Sequence, residues 1–402
     1  MTTPWLSIVG IGEDGMAGLS AIARAAIDEA EVLVGGARHL AMLPADSRKR
    51  IVWASPLETT IEEIGTLAGK RVAVIASGDP MWFGIGATLR RTFAAEAMRI
   101  LPAPSAFSLA AARMGWPLHE VECLTVHGRP LERIAAFVQP GTKLLVLSHD
   151  GATPVRAAAM LAAVGFGPSR LTALSHLGGD KEEAVAATAD SWGARTVADL
   201  NTLAIDCIAA PGAKVLARVP GLPDDAFTHD GQLTKRDIRA VTLAALAPLP
   251  GQHLWDLGAG CGSIAIEWMR AARNATASAV EKDAARAGLI QDNALALGVP
   301  ELAVVTGAAP GACAALPKPD AVFIGGGTSE ATLIEAAWSA LSPGGRIVAN
   351  AVTLEGEGVL TRAKQEKGGD LVKLEIAQAE RLGGLTVWRP KLAVVQWRAV
   401  KP

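Results

Sequence analysis

Residues 253–267 read His253-Leu-Trp-Asp256-Leu-Gly258-Ala-Gly260-Cys-Gly262-Ser-Ile-Ala-Ile-Glu267, which predicts a buried strand, a glycine-rich turn and the first turn of a helix. Glycines let the backbone pass close to a ligand, and the start of a helix offers unpaired N–H groups. The pattern therefore predicts a pocket for a nucleotide-like ligand. A dinucleotide fingerprint would place a glycine at position 263, which is Ser263, so this ligand need not carry a pyrophosphate.

A second strand, ending in acids, is predicted about one βα unit later, at Ser278-Ala-Val-Glu281-Lys-Asp283. A carboxylate in that place can hold two ribose hydroxyls. With these two features the segment resembles the Rossmann-like S-adenosylmethionine methyltransferases. The resemblance implies that S-adenosyl-L-methionine is contacted by Asp256, Gly258, Gly260, Gly262, Glu281, Gly307 and Ala308. The alternative is an α/β domain whose glycines only pack a tight crossover, because a short glycine motif also occurs without a ligand.

The composition fits two or more hydrophobic cores and a surface without a dominant charge. The 402 residues exceed what one ordinary core needs, and half of them are hydrophobic. Lys and Arg number 38 and Asp and Glu number 40, so no whole-molecule field favours nucleic acid or an anionic membrane. The sequence shows no apolar run long enough to span a bilayer and does not start with the pattern of a secretory signal. We therefore expect a cytoplasmic protein with neither a nucleic-acid nor a membrane partner.

The spacing of cysteines and histidines argues against a metal site. The cysteines stand singly, far from any C-x-x-C spacing, at Cys123, Cys207, Cys261 and Cys313. The seven histidines show no paired-ligand spacing. We expect buried thiols, no disulfide, no metal and no role for Cys261 as a nucleophile.

Alternating strands and helices predict an α/β fold in the N-terminal half as well. Residues 6–10 read as a strand that ends in a glycine loop, and residues 18–30 have helical periodicity. Further strands, with Ala-rich helical segments between the later ones, are predicted at 71–76, 121–126, 143–148, 171–175 and 202–208. Pro and Gly then interrupt the pattern, which predicts a linker and two domains, residues 1–214 and 215–402.

Four segments of the N-terminal half occur in the order found in tetrapyrrole methyltransferases, a second and unrelated S-adenosylmethionine fold. They are Val9-Gly10-Ile-Gly12, Ala76-Ser-Gly78-Asp79-Pro80-Met-Trp-Phe-Gly84, Leu101-Pro-Ala-Pro104-Ser105-Ala-Phe-Ser108 and Val126-His127-Gly128-Arg129. In that family the cofactor lies folded between two α/β lobes. The resemblance implies a bilobal domain with cofactor contacts from Gly10, Gly12, Gly78, Asp79, Pro80, Ser105 and Ala106.

The first glycine loop departs from that family's pattern. The family's loop usually runs G-x-G-P-G-D, whereas this chain has Gly12-Glu13-Asp14-Gly15. The proline is missing and the Gly-Asp order is reversed. We therefore assign no role to Asp14.

Because it combines two dissimilar methyltransferase folds, the whole chain resembles a narrower family, the decarboxylating precorrin-6Y C5,15-methyltransferases of cobalamin biosynthesis. The C-terminal segments that support this resemblance are Leu233-Thr-Lys235-Arg236-Asp-Ile-Arg239, Thr306-Gly307-Ala-Ala-Pro310, Asp320-Ala-Val-Phe-Ile324-Gly-Gly-Gly327 and Leu341-Ser-Pro-Gly-Gly345. It implies that the N-terminal domain methylates carbon 5 of precorrin-6Y. The C-terminal domain would methylate carbon 15 and remove the carboxyl group of the ring C acetate, giving precorrin-8X.

The expected fold class is α/β, with two parallel-sheet parts: an N-terminal bilobal tetrapyrrole-methylase fold followed by a C-terminal Rossmann-like S-adenosylmethionine methyltransferase fold. The second sheet is expected to be mainly parallel with an antiparallel C-terminal hairpin, whose second strand is predicted at 392–397. The resemblance further implies a small-molecule tetrapyrrole substrate and a homo-oligomeric assembly.

A substrate that carries many carboxylates needs fixed cations, preferably arginines, which bind a carboxylate through two parallel hydrogen bonds. The candidates are Lys235, Arg236, Arg239, Arg381 and Arg389 in the second domain and His127 with Arg129 in the first. Each also has a plainer interpretation as a solvated surface group, and Glu267 is expected to be structural. Methyl transfer from a sulfonium depends mostly on positioning, so no catalytic acid or base is singled out.

Three other functions stay open at this point. Both cofactor folds also occur in RNA methyltransferases, although near-neutral charge and the lack of Tyr leave few groups for stacking on bases. One domain could instead be a catalytically silent binding module, for instance the N-terminal one with its altered loop. A nicotinamide-dependent oxidoreductase is compatible with the α/β pattern alone.

Overall fold

The structure is a computed structural model that describes residues 4–402, so the first three residues, at which a secretory signal would begin, lie outside it. By its contacts the chain forms two compact units. The first extends to Leu131 and resumes over Gln139–Lys214, and the second comprises Glu132–Val138 and Val215–Pro402. The α/β class expected for both halves is confirmed.

The segment Glu132–Val138 lies within the first half of the sequence but belongs to the second unit by its contacts. A Cβ on Gly298 would lie only 2.2 Å from the backbone nitrogen of Ala136. Arg133 also forms an ion pair with Glu301. The predicted domains, residues 1–214 and 215–402, therefore differ from the two compact units in the placement of this segment.

The first lobe of the first unit is a five-stranded parallel sheet in the order β3-β2-β4-β1-β5. Its strands are β1 (Leu6–Ile11), β2 (Val32–Gly35), β3 (Lys49–Val52), β4 (Val72–Ser77) and β5 (Met98–Leu101). Its helices are α1 (Ala21–Asp28), α2 (Ala37–Ala41), α3 (Leu57–Gly65) and α4 (Ile85–Leu89). Ile8 and Val9 of β1 pack into separate apolar clusters, because a parallel sheet is covered on both faces.

The second lobe of the first unit is a five-stranded sheet in the order β6-β7-β10-β8-β9. Its strands are β6 (Val121–Thr125), β7 (Lys143–Leu147), β8 (Arg170–Ser175), β9 (Glu183–Thr188) and β10 (Asn201–Asp206). Two helices accompany them, α5 (Ala106–Met114) and α6 (Thr153–Ala163). Phe107 of α5 is buried against Leu145 and Leu174 of this sheet.

The expectation of a parallel sheet is wrong for this second lobe. Only β6 and β7 are parallel, and the other pairs are antiparallel. The three strands β8, β9 and β10 follow one another without a helical crossover, which parallel pairing would need. The Ala-rich stretch Glu183–Thr188, expected to be helical, is the edge strand β9, since backbone pairing with β8 outweighs the helix preference of alanine.

The second unit is a seven-stranded sheet in the order β13-β12-β11-β14-β15-β19-β16. Its strands are β11 (His253–Leu257), β12 (Thr276–Glu281), β13 (Ala303–Thr306), β14 (Ala321–Ile324), β15 (Arg346–Ala351), β16 (Asp370–Leu374) and β19 (Val394–Val400). Its helices are α7 (Arg236–Leu246), α8 (Ser263–Ala271), α9 (Ala284–Ala296), α10 (Ala331–Ala340) and α11 (Leu354–Lys367). Leu254 packs in one cluster and Trp255 in another, so this sheet too is buried on both faces.

The antiparallel end of the sheet differs from the expected simple hairpin. Strand β19 is antiparallel as expected, but it lies between β15 and β16. Strands β17 (Ala377–Leu382) and β18 (Leu385–Pro390) form a separate two-stranded sheet in between. The two residues Gly383 and Gly384 connect them, a loop length typical of tight hairpins.

Candidate functional site

The first unit has a cleft of about 680 Å³ at the carboxyl ends of β1 and β4. Parallel sheets bind ligands at that edge, and the volume suits a small molecule. Residues of both lobes line the cleft. Of the predicted set it brings together Gly12, Gly78, Asp79, Ser105, Ala106, His127 and Arg129.

Gly10 and Pro80 shape the cleft without lining it. A Cβ on Gly10 would lie 1.9 Å from the carbonyl oxygen of Gly78, so only glycine lets these two loops approach so closely. Pro80 is buried behind the loop, where it packs against Gly84 and Gly86. Both residues therefore position the neighbouring lining residues.

The loop that follows β4 is held by its own aspartate. Asp79 Oδ1 accepts a hydrogen bond of 2.8 Å from the backbone N–H of Met81. Ser105 is buried and caps α5, since its hydroxyl accepts from Ser108 N at 3.1 Å. Ala106 is the first residue of that helix, so helix N–H groups border the cleft.

The second lobe offers polar atoms without a protein partner to a ligand in the cleft. Ser148 Oγ and Asn201 Oδ1 are both buried and have no hydrogen-bond partner, and both residues line the cleft. A buried polar atom without a partner costs free energy, so a ligand that pairs with it is stabilised. Hydroxyl and amino groups, such as those of an adenosine, fit these two atoms.

His127 and Arg129 lie at the exposed rim of this cleft. The ring of His127 is 5.7 Å from that of His149, and the Arg129 guanidinium is 5.8 Å from the centre of the Phe83 ring. Their assignment to substrate stays a prediction. A second charged group in the cleft, formed by Glu13, Arg38 and His176, was missed because its members are far apart in sequence.

The glycine turn of the second unit connects β11 to α8. Gly258 has a φ of +72°, and a Cβ there would lie 2.8 Å from the backbone nitrogen of Gly326. Both the positive φ and the close approach require glycine. The turn therefore lies against the loop after β14, and its role in binding a ligand stays a prediction.

Asp256 is a buried carboxyl group beneath this turn. Its Oδ2 accepts from Ala265 N at 3.0 Å, and its Oδ1 has no partner. Burial raises the pKa of Asp256 from 3.8 to about 7; the hydrogen bond from Ala265 opposes that rise, and the charge of Glu281 adds to it. A cationic ligand beside Oδ1 would satisfy the oxygen and favour its charged form.

Glu281 joins the end of β12 to the glycine turn. Its carboxylate accepts from Gly260 N at 2.8 Å and from Asp283 N at 3.0 Å. Gly307 follows β13 at the same edge of the sheet and donates to the Glu281 carbonyl oxygen at 2.9 Å, with Ala308 exposed beside it. The structure thus brings together the predicted cofactor residues of this half.

Lys235 and Arg236 lie at the start of α7, and both are exposed. The chain just before them borders the glycine turn, because a Cβ on Gly260 would lie 3.1 Å from the Gln232 carbonyl oxygen. Arg236 Nε donates to the Gly221 carbonyl oxygen at 2.9 Å. The segment that leads into these cations therefore lies against the turn, and their role in substrate binding stays a prediction.

The expectation that Arg239 binds substrate is wrong. Its side chain is fully buried, with Nε 2.5 Å from Glu267 Oε1 and Nη1 3.1 Å from Asp224 Oδ1. Glu267 also accepts from Gly221 N and Leu222 N. This ion pair ties α7 and α8 to the preceding segment, so Arg239 and Glu267 are structural.

Arg381 and Arg389 are exposed on the two-stranded sheet of β17 and β18. Arg389 pairs with Glu380 at 3.4 Å. Neither strand belongs to the sheet that carries the glycine turn. Their role in substrate binding stays a prediction.

All four cysteines are free thiols. Burial raises the pKa of Cys261 to about 11 and that of Cys207 to about 12, which keeps both protonated and unreactive. Across residues 4–402 no group of three His, Cys, Asp or Glu side chains is arranged to hold a metal ion. None of the helices in that range has the length and apolar character needed to cross a membrane.

Comparison with known proteins relates both units to enzymes of tetrapyrroles. The family of tetrapyrrole (corrin/porphyrin) methylases matches residues 6–192, and a family described as a precorrin methyltransferase domain matches residues 225–401. A Sinorhizobium sp. protein named precorrin-6Y C(5,15)-methyltransferase (decarboxylating) is 47% identical over 405 residues, which cover 100% of this chain and 97% of that protein. A Mycobacterium tuberculosis protein of the same name is 41% identical over 399 residues, 98% of this chain and 99% of that one.

A solved structure of the C-terminal domain of precorrin-6Y C5,15-methyltransferase from Rhodobacter capsulatus is also similar. It is 47% identical, and the match covers 46% of this chain and 100% of that chain with a TM-score of 0.44. This solved structure matches less than half of the chain, whereas the two relatives from Sinorhizobium sp. and Mycobacterium tuberculosis match both units.

Proposed function

This chain belongs to the family of decarboxylating precorrin-6Y C(5,15)-methyltransferases, and from that premise we propose how its two units divide the reaction. The chain is a methyltransferase of cobalamin biosynthesis that methylates precorrin-6Y at carbons 5 and 15 with decarboxylation. We propose that the first unit methylates carbon 5, and that the second methylates carbon 15 and removes the ring C acetate carboxyl group, giving precorrin-8X. The observation that supports two separate reactions is a glycine-containing cleft in the first unit and a glycine turn with buried acids in the second.

S-adenosyl-L-methionine is the proposed methyl donor of both units, and it supplies an electrophilic methyl group on a sulfonium. In the first unit Gly12, Gly78 and Ala106 present backbone to the donor, while Ser148 and Asn201 offer the polar atoms described above. Such contacts orient the donor and exclude water from it. Orientation matters most, because the transferred methyl must lie in line with the accepting carbon.

In the second unit the same tasks fall to buried acids. Asp256 Oδ1 can accept from the ammonium group of the donor's amino-acid part, and Glu281 is the proposed partner of its ribose. Binding a cation beside Asp256 lowers the cost of ionising this buried carboxyl group. The two residues proposed to hold the donor, Asp256 and Glu281, are therefore acids whose carboxyl groups are buried in the protein.

Decarboxylation in the second unit needs a carboxylate held in place while its carbon–carbon bond breaks. Carbon dioxide leaves, and the electron pair of that bond passes into the conjugated imines of the macrocycle, so no metal is required as an electron sink. A proton from the solvent then adds to the remaining methylene carbon, which becomes the ring C methyl group. Lys235 and Arg236 beside the glycine turn are the proposed partners of substrate carboxylates. Because both side chains are exposed, water can replace the substrate carboxylates on them when the product leaves.

The test is mass spectrometry of precorrin-6Y after incubation with the full chain and S-adenosyl-L-methionine. The wild type adds two methyl groups and removes one carbon dioxide. Asp79→Ala, which frees the loop after β4, removes the carbon-5 methyl only. Glu281→Ala, which frees the glycine turn, removes the carbon-15 methyl and leaves the carboxyl group in place.

Matched controls remove an exposed acid side chain that forms an ion pair in each unit. Glu63→Ala in the first unit and Glu335→Ala in the second leave both methyl transfers intact, since both acid side chains are exposed and neither belongs to the residues placed at the two sites. Loss of both methyls through either site variant, or loss of the wrong one, contradicts the proposed division.

A further inference from the structure

One end of the first-unit cleft carries a charged network that the predicted residues do not include. The Glu13 carboxylate bonds to two side chains: its Oε1 accepts from Arg38 Nη1, and its Oε2 lies 2.9 Å from His176 Nδ1. Arg38 belongs to α2 of the first lobe, whereas His176 follows β8 of the second lobe. A single carboxylate therefore bridges the two walls of the cleft.

Glu13 lies in the loop that departs from the tetrapyrrole methyltransferase pattern, at the position where that pattern has proline. A proline could not form either contact. The loop after β8 packs directly on this residue, because a Cβ on Gly179 would lie 2.7 Å from Glu13 Cβ. The glutamate that replaces the usual proline therefore forms side-chain contacts with both lobes.

Arg38 is held in place independently of Glu13. Its Nη2 is 2.9 Å from His39 Nε2 and 3.2 Å from Ser77 Oγ, and both atoms accept because a guanidinium only donates. Burial, followed by the charge of Arg38, lowers the pKa of His39 to about 4, so its ring stays neutral and can accept. The guanidinium fork thus keeps its direction whichever carboxylate it binds.

Two other carboxylates line the same cleft, and they differ from Glu13 in what they bind. Asp79 accepts from Met81 N at 2.8 Å within its own loop, and Asp199 accepts from Gly151 N at 2.9 Å, which joins two loops of the second lobe. Glu13 instead bonds to two cationic or ionisable side chains. Exchanging its carboxylate for another would keep an anion beside both Arg38 and His176, so neither of these two side chains would lose its partner.

From this geometry we infer that Arg38 and His176 form a binding subsite for one carboxylate of the tetrapyrrole, which Glu13 occupies here and yields to the substrate. The inference rests on the proposed function, since it concerns the substrate of the first unit. Ser77, which holds Arg38, directly precedes Gly78 and Asp79 of the proposed donor loop. A carboxylate on Arg38 would therefore place the macrocycle beside the methyl donor.

The inference predicts opposite effects on substrate binding from the two members of one ion pair. Arg38→Gln removes the fork and raises KM for methyl transfer to carbon 5 by about 10- to 100-fold, as expected for a charge-assisted hydrogen bond. Glu13→Gln keeps the side-chain volume but removes the competing charge, so KM falls by about 3- to 10-fold. Arg38→Lys keeps the charge without the fork and gives an intermediate KM.

The experiment measures initial rates of methyl transfer to carbon 5 and to carbon 15 in the same full-length chain. The tetrapyrrole is precorrin-6Y or its carbon-15-methylated, decarboxylated derivative, whichever the wild type methylates at carbon 5. Transfer to carbon 15 serves as the internal reference for protein quality. Arg156→Gln, which removes an arginine from an exposed pair with Asp150 outside the cleft lining, is the matched control with unchanged KM.

A purely structural clamp between the lobes would give a different result, because losing either partner would weaken it. A rise in KM for both Arg38→Gln and Glu13→Gln, or no change in KM for either one, overturns the inference. Failure of the proposed function is separately visible, since Asp79→Ala would then retain the carbon-5 methyl. Loss of that methyl in Asp79→Ala together with a normal KM in Arg38→Gln overturns the subsite alone.

Discussion

The cleft of the first unit and the glycine turn of the second use charge in opposite ways. In the cleft, the partly exposed side chains of Arg38 and Glu13 bind each other. Beneath the glycine turn, Asp256 and Glu281 are buried, and the hydrogen bonds they accept come from backbone N–H groups. A ligand of the first unit can therefore exchange one ion pair for another, whereas a ligand of the second must satisfy a carboxyl group already removed from water.

The largest loss of methyl-transfer rate is expected from substituting the glycines whose backbone packs closely on a neighbouring loop in each unit. Gly258→Ala would place a Cβ 2.8 Å from Gly326 N at a positive φ, and Gly10→Ala would place one 1.9 Å from Gly78 O. Neither neighbour can move without displacing a loop, so each variant loses its own methyl transfer by at least about 100-fold. Methyl transfer to carbons 5 and 15, measured separately by mass spectrometry, distinguishes the two.

The controls for these variants are Gly69→Ala and Gly251→Ala. Both glycines have a positive φ but no atom within 4 Å of the added Cβ, so they test backbone strain without a clash. Retention of the carbon-15 methyl in Gly258→Ala would show that the glycine turn is not the site.

A second contrast concerns two arginines: Arg239, which we expected to bind substrate, and Arg38, which the structure places in the cleft. Arg239 is fully buried with Glu267, so Arg239→Met leaves a buried carboxylate unpaired and lowers the unfolding free energy of the second unit by about 3–5 kcal/mol. Arg38→Gln acts on a pair that is 43% exposed on its arginine side and changes stability by about 0–1 kcal/mol. Urea unfolding followed by hydrogen exchange in each unit measures both. Equal losses would remove the distinction between a structural and a ligand-facing arginine.

The third effect, smaller than that of Arg239→Met, tests the buried acid of the second unit through pH. Because burial raises the pKa of Asp256 from 3.8 to about 7, the folded state keeps its proton where the unfolded state has lost it. The resulting stability is fully present below pH 3.8 and is lost as pH rises through about 7. Asp256→Asn lacks this loss, so its stability relative to wild type increases by about 2–3 kcal/mol between roughly pH 5 and pH 7.

The same variant should lose carbon-15 methylation, since a neutral amide cannot balance a cationic donor. Unfolding of the second unit at several pH values provides the measurement, with Thr242→Ser as a buried control, because its partners Asn350 and Gln396 do not titrate. A pH-independent difference between Asp256→Asn and wild type would contradict the raised pKa.

The second-unit site was predictable from sequence because its residues are consecutive. A strand, three spaced glycines and a helix lie within residues 253–267, and Glu281 follows one βα unit later. Local spacing then fixes which groups meet. The first-unit site needed four separated segments, and the stretch between residues 31 and 70, with β2, β3 and α2, gave no recognisable pattern.

What the sequence could not show depends on contacts between distant residues. Arg38 and His176 meet Glu13 only because the two lobes fold together, across 25 and 163 residues of chain. Arg239 was mistaken for a substrate ligand because its partner Glu267 is 28 residues away. Strand β9 was mistaken for helix because its pairing with β8 is invisible to local propensity.

The central claim is that each unit holds its own methyl donor. Calorimetric titration of the full chain with S-adenosylhomocysteine tests it most directly. Two sites per chain are expected, with one lost in Asp79→Ala, the other lost in Glu281→Ala, and none left in the double variant. A single site in the wild type, or loss of both sites through one of these substitutions, would contradict the account.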